Sequence, residues 1–340
     1  MSLPHTFFIG RGGGSSLTVE DVFSTDVYTG NETEKTIVNG IDLANEGGLV
    51  WAKNRVIAFN HNLYDTVRGV GKYLVSNNTS AEAIDAQTLK SFNSNGFTLG
   101  SAVGGNHNSA TVAFTFRVAP KFFDIQSWTG NGGSYGTTQS IAHNLGSVPG
   151  MILVKRTSAD RDWAVYHRGT DGTAPEDKYL LFKNHAVADD DGYWFDTAPT
   201  ATHFTVHDKA EVNSNGSSYI AYIFADNSSD SSISAADRMI SCGSYAGNGS
   251  DTGPVINVGF QPQFIFYKCI TANENWEIID SVRGVTTNGD DKVLRANLNG
   301  AELNTQRVNF LSNGWQPKDS GGHINGSGQT YIYMAIRAEG

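Results

Sequence analysis

Val112-Ala113-Phe114-Thr115-Phe116-Arg117-Val118 is a short run of β-branched and aromatic residues bounded by turn formers. That is the pattern of a β-strand. It does not stand alone, because Tyr219–Phe224 and Tyr331–Ile336 carry runs of the same kind. Both are apolar at nearly every position, which suits a strand covered on both faces or buried in a sandwich.

Working outward from these three runs, the same landmarks appear in the same order each time. Tyr28-Thr29-Gly30-Asn31 returns as Trp128-Thr129-Gly130-Asn131 and as Tyr245-Ala246-Gly247-Asn248. An apolar strand holding a lysine follows: Leu49–Lys53, Ile152–Lys155 and Phe264–Lys268. Next come Arg68-Gly69, Arg168-Gly169 and Arg283-Gly284, at Lys-to-Arg separations of 15, 13 and 15 residues. Lys72-Tyr73-Leu74-Val75, Lys178-Tyr179-Leu180-Leu181 and Lys292-Val293-Leu294 lead the next strand. Asn95-Gly96-Phe97 and Asn313-Gly314-Trp315, matched less well by Thr202-His203-Phe204, precede the closing strand. An offset of about 100 residues is far beyond the 20–50 of a solenoid repeat, so each copy reads as a whole domain.

Asn39-Gly40, Asp171-Gly172, Asn215-Gly216 and Asn299-Gly300 supply the positive φ that tight hairpin turns need. The fold class expected is therefore all-β: three tandem homologous β-sandwich domains, jelly-roll-like, with a short N-terminal arm. The boundaries are 1–22 for the arm, 23–121 and 122–227 for the first two sandwiches, and 228–340 for a polar linker and the third. Ser80–Lys90 is the best helix candidate, with Ser80 as a cap. Since copy two has Asp189-Asp190-Asp191-Gly192 there, the helix reads as a decoration. Gly30, Gly130 and Gly247 are expected at unusual backbone angles. Arg68, Arg168 and Arg283 are each expected to pair with a carboxylate, such as Asp65 and Asp280 two or three positions back. The recurring set as a whole is read as structural.

The chain has 340 residues, a net charge of −10 and 38 glycines. The acidic balance and scarcity of basic runs argue against nucleic-acid partners. No stretch reaches the roughly 20 apolar residues of a membrane span. Met1–Gly10 lacks the basic start of a signal peptide. His5–Ile9 followed by Gly10–Ser16 reads either as a docking arm that adds a strand to a neighbour, through Phe7, Phe8 and Ile9, or as a strand on its own first domain.

Catalytic signals are thin. His203 and His207 are four apart but in a strand-and-loop context, so no metal is expected. Gly10–Gly14 lacks the Lys-Ser/Thr of a phosphate-binding loop, and no cofactor is expected. Cys242 and Cys269 read as buried thiols, with a disulfide between them left open. Acidic loops at Glu176, Asp177, Asp189, Asp190, Asp191 and Asp196 leave room for glycoside hydrolysis confined to copy two. Asp189 and Asp191 have oxygen ligands suited to Ca²⁺, against the plainer reading of a solvated acidic turn. Binding fits better. Tyr193, Trp194 and Trp315 lie near loops, where rings stack on sugar faces, and are the binding candidates; as core residues they would fit equally.

Phe92–Thr98, Ala119–Asp124, Trp128–Gly132 and Ile141–Gly150 resemble a repeated domain of unknown function found in virion and tail-appendage proteins of marine and cyanobacterial tailed bacteriophages. The resemblance covers most of residues 20–225, and copy three departs further. It implies a structural virion protein in a tail or fibre-like appendage, assembled in the host cytoplasm. Other virion proteins would be its partners through the N-terminal arm. Assembly and host-surface glycan adhesion would be its roles, and no catalytic residues carry over. The alternative is a virion-associated polysaccharide depolymerase. A homo-oligomer is expected, with the trimer of fibre-like appendages in view, although no coiled-coil heptads enforce one.

Overall fold

The computed structural model describes residues 17–339 apart from Tyr135, Asp191, Ser229, Ser231 and Asn288. Phe7, Phe8 and Ile9 lie outside the described residues. Copy one contains β1 (Phe23–Thr29), β2 (Lys35–Val38), β3 (Gly48–Asn54), β4 (Asn62–Asp65), β5 (Lys72–Val75), β6 (Ala83–Ile84), β7 (Leu89–Asn93), β8 (Gly96–Leu99) and β9 (Ala110–Arg117). Copy two contains β10 (Phe123–Thr129), β11 (Gln139–Ala142), β12 (Pro149–Arg156), β13 (Ala164–His167), β14 (Lys178–Leu181), β15 (Ala188–Asp189), β16 (His203–Val206) and β17 (Ser218–Ala225). Copy three contains β18 (Ile240–Ala246), β19 (Ile256–Asn257), β20 (Pro262–Cys269), β21 (Glu277–Asp280), β22 (Asp291–Arg295), β23 (Leu303–Thr305), β24 (Val308–Leu311), β25 (Gly314–Pro317) and β26 (Thr330–Arg337).

One six-stranded antiparallel sheet is built three times in the same order: β1-β9-β3-β4-β5-β6, β10-β17-β12-β13-β14-β15 and β18-β26-β20-β21-β22-β23. A small sheet accompanies each, β2-β8-β7, β11-β16 and β19-β25-β24. The period-2 alternation of a strand decides what each face meets. In β3, Val50 and Ala52 join Ile37, Phe97 and Leu99 of the small sheet in a local core. Leu49 and Trp51 point the other way, into a second core shared with copies two and three. In β20, Ile265 and Tyr267 face the local core while Phe264 and Phe266 face the shared one. This is why the central strands are apolar at nearly every position.

The three large sheets therefore pack back to back. Trp51, Phe182 and Phe266, one from each copy, form a triangle of rings with centroids 6.1, 5.7 and 6.0 Å apart. Burying each such side chain is worth roughly 1.5–3 kcal/mol. Val19 and Val22, assigned from sequence to the segment before the first copy, are buried in the same core.

Matching hydrogen bonds close the arrangement into a ring. The Glu82 N–H donates to the Thr157 carbonyl (2.9 Å), Val187 to Ile270 (2.8 Å) and Glu302 to Arg55 (2.8 Å). Each donor immediately precedes β6, β15 or β23, and each acceptor immediately follows β12, β20 or β3. Copy one thus holds two, two holds three, and three holds one. The junction between copies one and three adds a two-point ion pair from Arg55 to Glu302, at 2.9 and 2.8 Å.

Two expectations are corrected here. Ser80–Lys90 is not helical; it contains β6 and the start of β7. Its helix-forming residues are overridden by the Glu82 bond to copy two and by ion pairs from Glu82 to Arg68 and Lys72. Nor do Gly30, Gly130 and Gly247 take positive φ. Glycine is required there because a Cβ would lie 2.0–2.4 Å from the carbonyl oxygens of His107, Ser214 and Gly326. The close approach comes from an asparagine latch. The backbone N–H of Asn31, Asn131 and Asn248 donates to the side-chain oxygen of Asn106, Asn213 and Asn325, at 3.1, 2.9 and 2.9 Å.

Candidate functional site

The recurring lysines lie on the shared-core faces of β3, β12 and β20 and are fully buried. A buried ammonium must be surrounded by acceptors, and backbone carbonyls provide them. Lys53 donates to Asn54 (2.7 Å) and to Asn299 of copy three (3.1 Å). Lys155 donates to Thr79 of copy one (2.7 Å) and to Arg161, and Lys268 to Glu274. Burial pulls all three down to about 8. Lys155 and Lys268 also sit over the rings of Trp163 and Trp276, 5.9 and 5.8 Å from their centroids. Those indoles donate across copies, Trp163 to Val75 (3.0 Å) and Trp276 to Leu181 (3.2 Å). Lys53, Lys155 and the two indoles thus bond across copies, while Lys268 is held within copy three.

The arginines divide. Arg68 and Arg283 pair with Asp65 and Asp280 three residues back, as the sequence suggests. Arg168 does not share their place. Register puts His167 opposite Met151, as Asp65 is opposite Leu49 and Asp280 opposite Phe264. Arg168 is therefore equivalent to Thr66 and Ser281, and the shorter 13-residue spacing is the visible sign. His167, its pKa pulled down to about 3 by burial, contacts the Tyr333 carbonyl of copy three through Nε2 (3.0 Å). Arg168 turns outward and pairs with Asp226. By the same register, Asp226 stands where the other copies have Val118 and Ala338.

A third departure lies alongside. The small sheet of copy two has two strands where the others have three. A loop replaces the missing strand. Asp190 fixes that loop by accepting four backbone N–H bonds, from Gly192, Tyr193, Trp194 and Phe195, at 2.6–3.1 Å. Phe195 and Asp196 are held at φ +56° and +44°, conformations that persist only when surrounding structure imposes them. Arg168, Asp226 and this loop, through Ala198 and Pro199, converge on one cleft of about 730 Å³. Tyr166 also lines it, with Lys121 and Glu176.

The sequence-derived binding candidates are corrected. Tyr193, Trp194 and Trp315 are all buried, so none offers a ring face to solvent. Tyr193 stacks on Tyr179 at 4.1 Å. Trp315 fills the local core of copy three beside Tyr245 and Tyr333. Trp194 packs edge-on against Tyr166 at 6.0 Å, one layer behind the cleft. The exposed Asp189 pairs with Lys178 (2.5 Å), and Asp191 lies outside the described residues. No group of three or more metal-ligating side chains occurs among the described residues. Cys242 and Cys269 are free and buried. No helix among the described residues is long and apolar enough to cross a membrane.

No curated protein matches the chain. A family model described as a domain of unknown function, DUF7483, matches residues 18–119 and again residues 118–339. The first match takes in the β1-to-β9 sheet and the second runs through the other two large sheets. Together they cover nearly the whole described chain, and the protein belongs to the DUF7483 domain family.

Proposed function

We propose that this protein is a structural, non-enzymatic component of a tailed-bacteriophage particle, in a tail or fibre-like appendage, used in assembly and in contact with host-surface glycan. One observation carries the reading: the repeated buried charges serve cohesion. Lys53, Lys155, Arg68, Arg283 and Glu302 bind across copies or brace strands that do. A three-sheet block closed on itself suits a part that carries load. The threefold arrangement that fibre-like appendages reach with three chains is approximated within one. The phrase-level resemblance to phage appendage domains supports the same reading, as does the cleft of copy two, which leaves one surface open for contact. The first residues of the chain, Phe7–Ile9 among them, serve as the dock to other virion proteins, and assembly takes place in the host cytoplasm.

Labelled antibody against the chain is expected to decorate intact particles at the tail or its appendages. Particles that lack the chain would overturn the proposal. Deleting residues 2–16 is expected to leave folded protein that no longer joins particles, and normal incorporation would refute the docking role. Incubation with host polysaccharide is expected to release no reducing ends. Their release would favour a depolymerase instead.

A further inference from the structure

What all three copies share serves what all three do, which is to fold and close the ring. The converse is informative. Copy two departs from the common plan at Arg168, at Asp226 and in the loop after Asp190, and these departures meet at one cleft. Its volume, about 730 Å³, falls within the roughly 300–1,000 Å³ of small-molecule sites.

The chemistry of the walls narrows the ligand. Tyr166 is 97% buried, at 3% exposure, yet lines the cleft, and among the described residues its hydroxyl has no hydrogen-bond partner. The Ser147 hydroxyl, on another lining residue, is also buried without a partner. Arg168 gives one amino group to Asp226 while its side chain stays 42% exposed, leaving N–H groups toward the opening. Glu176 and Asp171 supply acceptors. Val148, half exposed, supplies apolar surface, and the buried Pro149 and Pro199 back the wall beside it. Donors, acceptors and flat apolar patches side by side match a ring that bears hydroxyls on its edge and C–H groups on its face. The charge selects further. Four carboxylates, Asp171, Glu176, Asp226 and Asp230, line the cleft against two cations, Arg168 and Lys121, among the described lining residues, and both cations are already paired. An added carboxylate would be repelled.

We propose that the copy-two cleft binds a neutral oligosaccharide, with Tyr166 and Arg168 as its hydrogen-bonding contacts. This rests on the host-surface part of the reading above and names its ligand class.

The test is calorimetric titration of the full chain with neutral trisaccharides of glucose, galactose, mannose and N-acetylglucosamine, and with trigalacturonate. At least one neutral sugar is expected to bind with a dissociation constant of about 1 mM or tighter, and trigalacturonate at least about tenfold more weakly. Tyr166→Phe keeps the packed ring and is expected to weaken binding about fivefold, as loss of one hydrogen bond does. Arg168→Ala should weaken it at least as much. Tyr64→Phe, the same position in copy one, should leave it unchanged. Circular dichroism and melting of each variant separate lost binding from lost fold. No binding by any neutral sugar, tighter binding of trigalacturonate, or wild-type affinity in folded Tyr166→Phe would overturn the proposal. If the chain is nevertheless found in particles, the sugar site fails and the structural role stands.

Discussion

Arg283 and Arg168 look alike in the sequence and do opposite work. Arg283 is sealed between strands, with Asp280 on one side and Glu302 (3.0 Å) on the other. Arg168 leans over the mouth of a cleft with 42% of its side chain exposed. The first belongs to the ring, where all three sheets share one interior. The second belongs to the region where copy two leaves the common plan. A recurring letter marks structure when its partner recurs with it, as Asp65 and Asp280 do. It marks something else when the partner has changed.

The contrast can be broken most forcefully at the aromatic triangle. Phe266→Ala should cost about 3–5 kcal/mol, read as a lower midpoint in denaturant unfolding. Because the interior is common to all copies, unfolding should stay a single transition. Separate melting of copy three would mean that the sheets do not share a core. Arg283→Met should follow at about 3–5 kcal/mol, because it leaves Asp280 buried without its cation.

The lysines sharpen the comparison through pH. Their folded values of about 8 lie below the usual 10.5, so between those limits the unfolded chain binds more protons than the native one. Stability must then rise with pH across that window, by up to about 3 kcal/mol for each lysine. Above pH 10 the trend reverses, because burial raises Tyr28, Tyr222, Tyr245 and Tyr267 and only the unfolded chain then loses those protons. Melting curves of the wild type and of the Lys53→Met, Lys155→Met, Lys268→Met triple variant test this. A rise that survives in the triple variant would assign it to other groups. The smallest effect is expected at Arg168→Met, about 1–2 kcal/mol, because the Asp226 carboxyl is buried but Arg168 is 42% exposed. There Asp226 keeps its bonds from Ser228 and Cys242 (2.9–3.0 Å). A loss as large as that of Arg283→Met would erase the distinction.

Strand runs such as Val112–Val118 and the ordered landmarks made the all-β sandwich class readable, because period and turn chemistry are local. Ring closure was not readable. A bead-like array and a closed ring demand the same apolar strands, and the bonds that distinguish them join residues as distant as Lys53 and Asn299. The same distance effect turned Ser80–Lys90 from its local helix preference into strand. The Asn106, Asn213 and Asn325 latch partners were present as a signal, recurring 75, 82 and 77 residues after Asn31, Asn131 and Asn248, but single asparagines in loops do not stand out. For Trp194 and Trp315 the sequence leaves surface and core equally open, because nearness to turns says little about which way a ring points, and both are core. The cleft was hidden for another reason: it consists of departures from the repeat, which a search for repeats sets aside.

Ring closure also sets an order of events during synthesis. Copy one can build its local core as soon as Arg117 is made, and Trp51 and Phe116 meet Phe182 and Phe224 once copy two follows, but Phe114 packs on Phe264 of copy three and the shared core stays open until β26 is complete. At roughly 5–20 residues per second, that face waits about 10–45 s beside the ribosome. The apolar back of the first sheet is thus the chain's point of greatest exposure to misassembly, and its vulnerability ends when the last strand emerges.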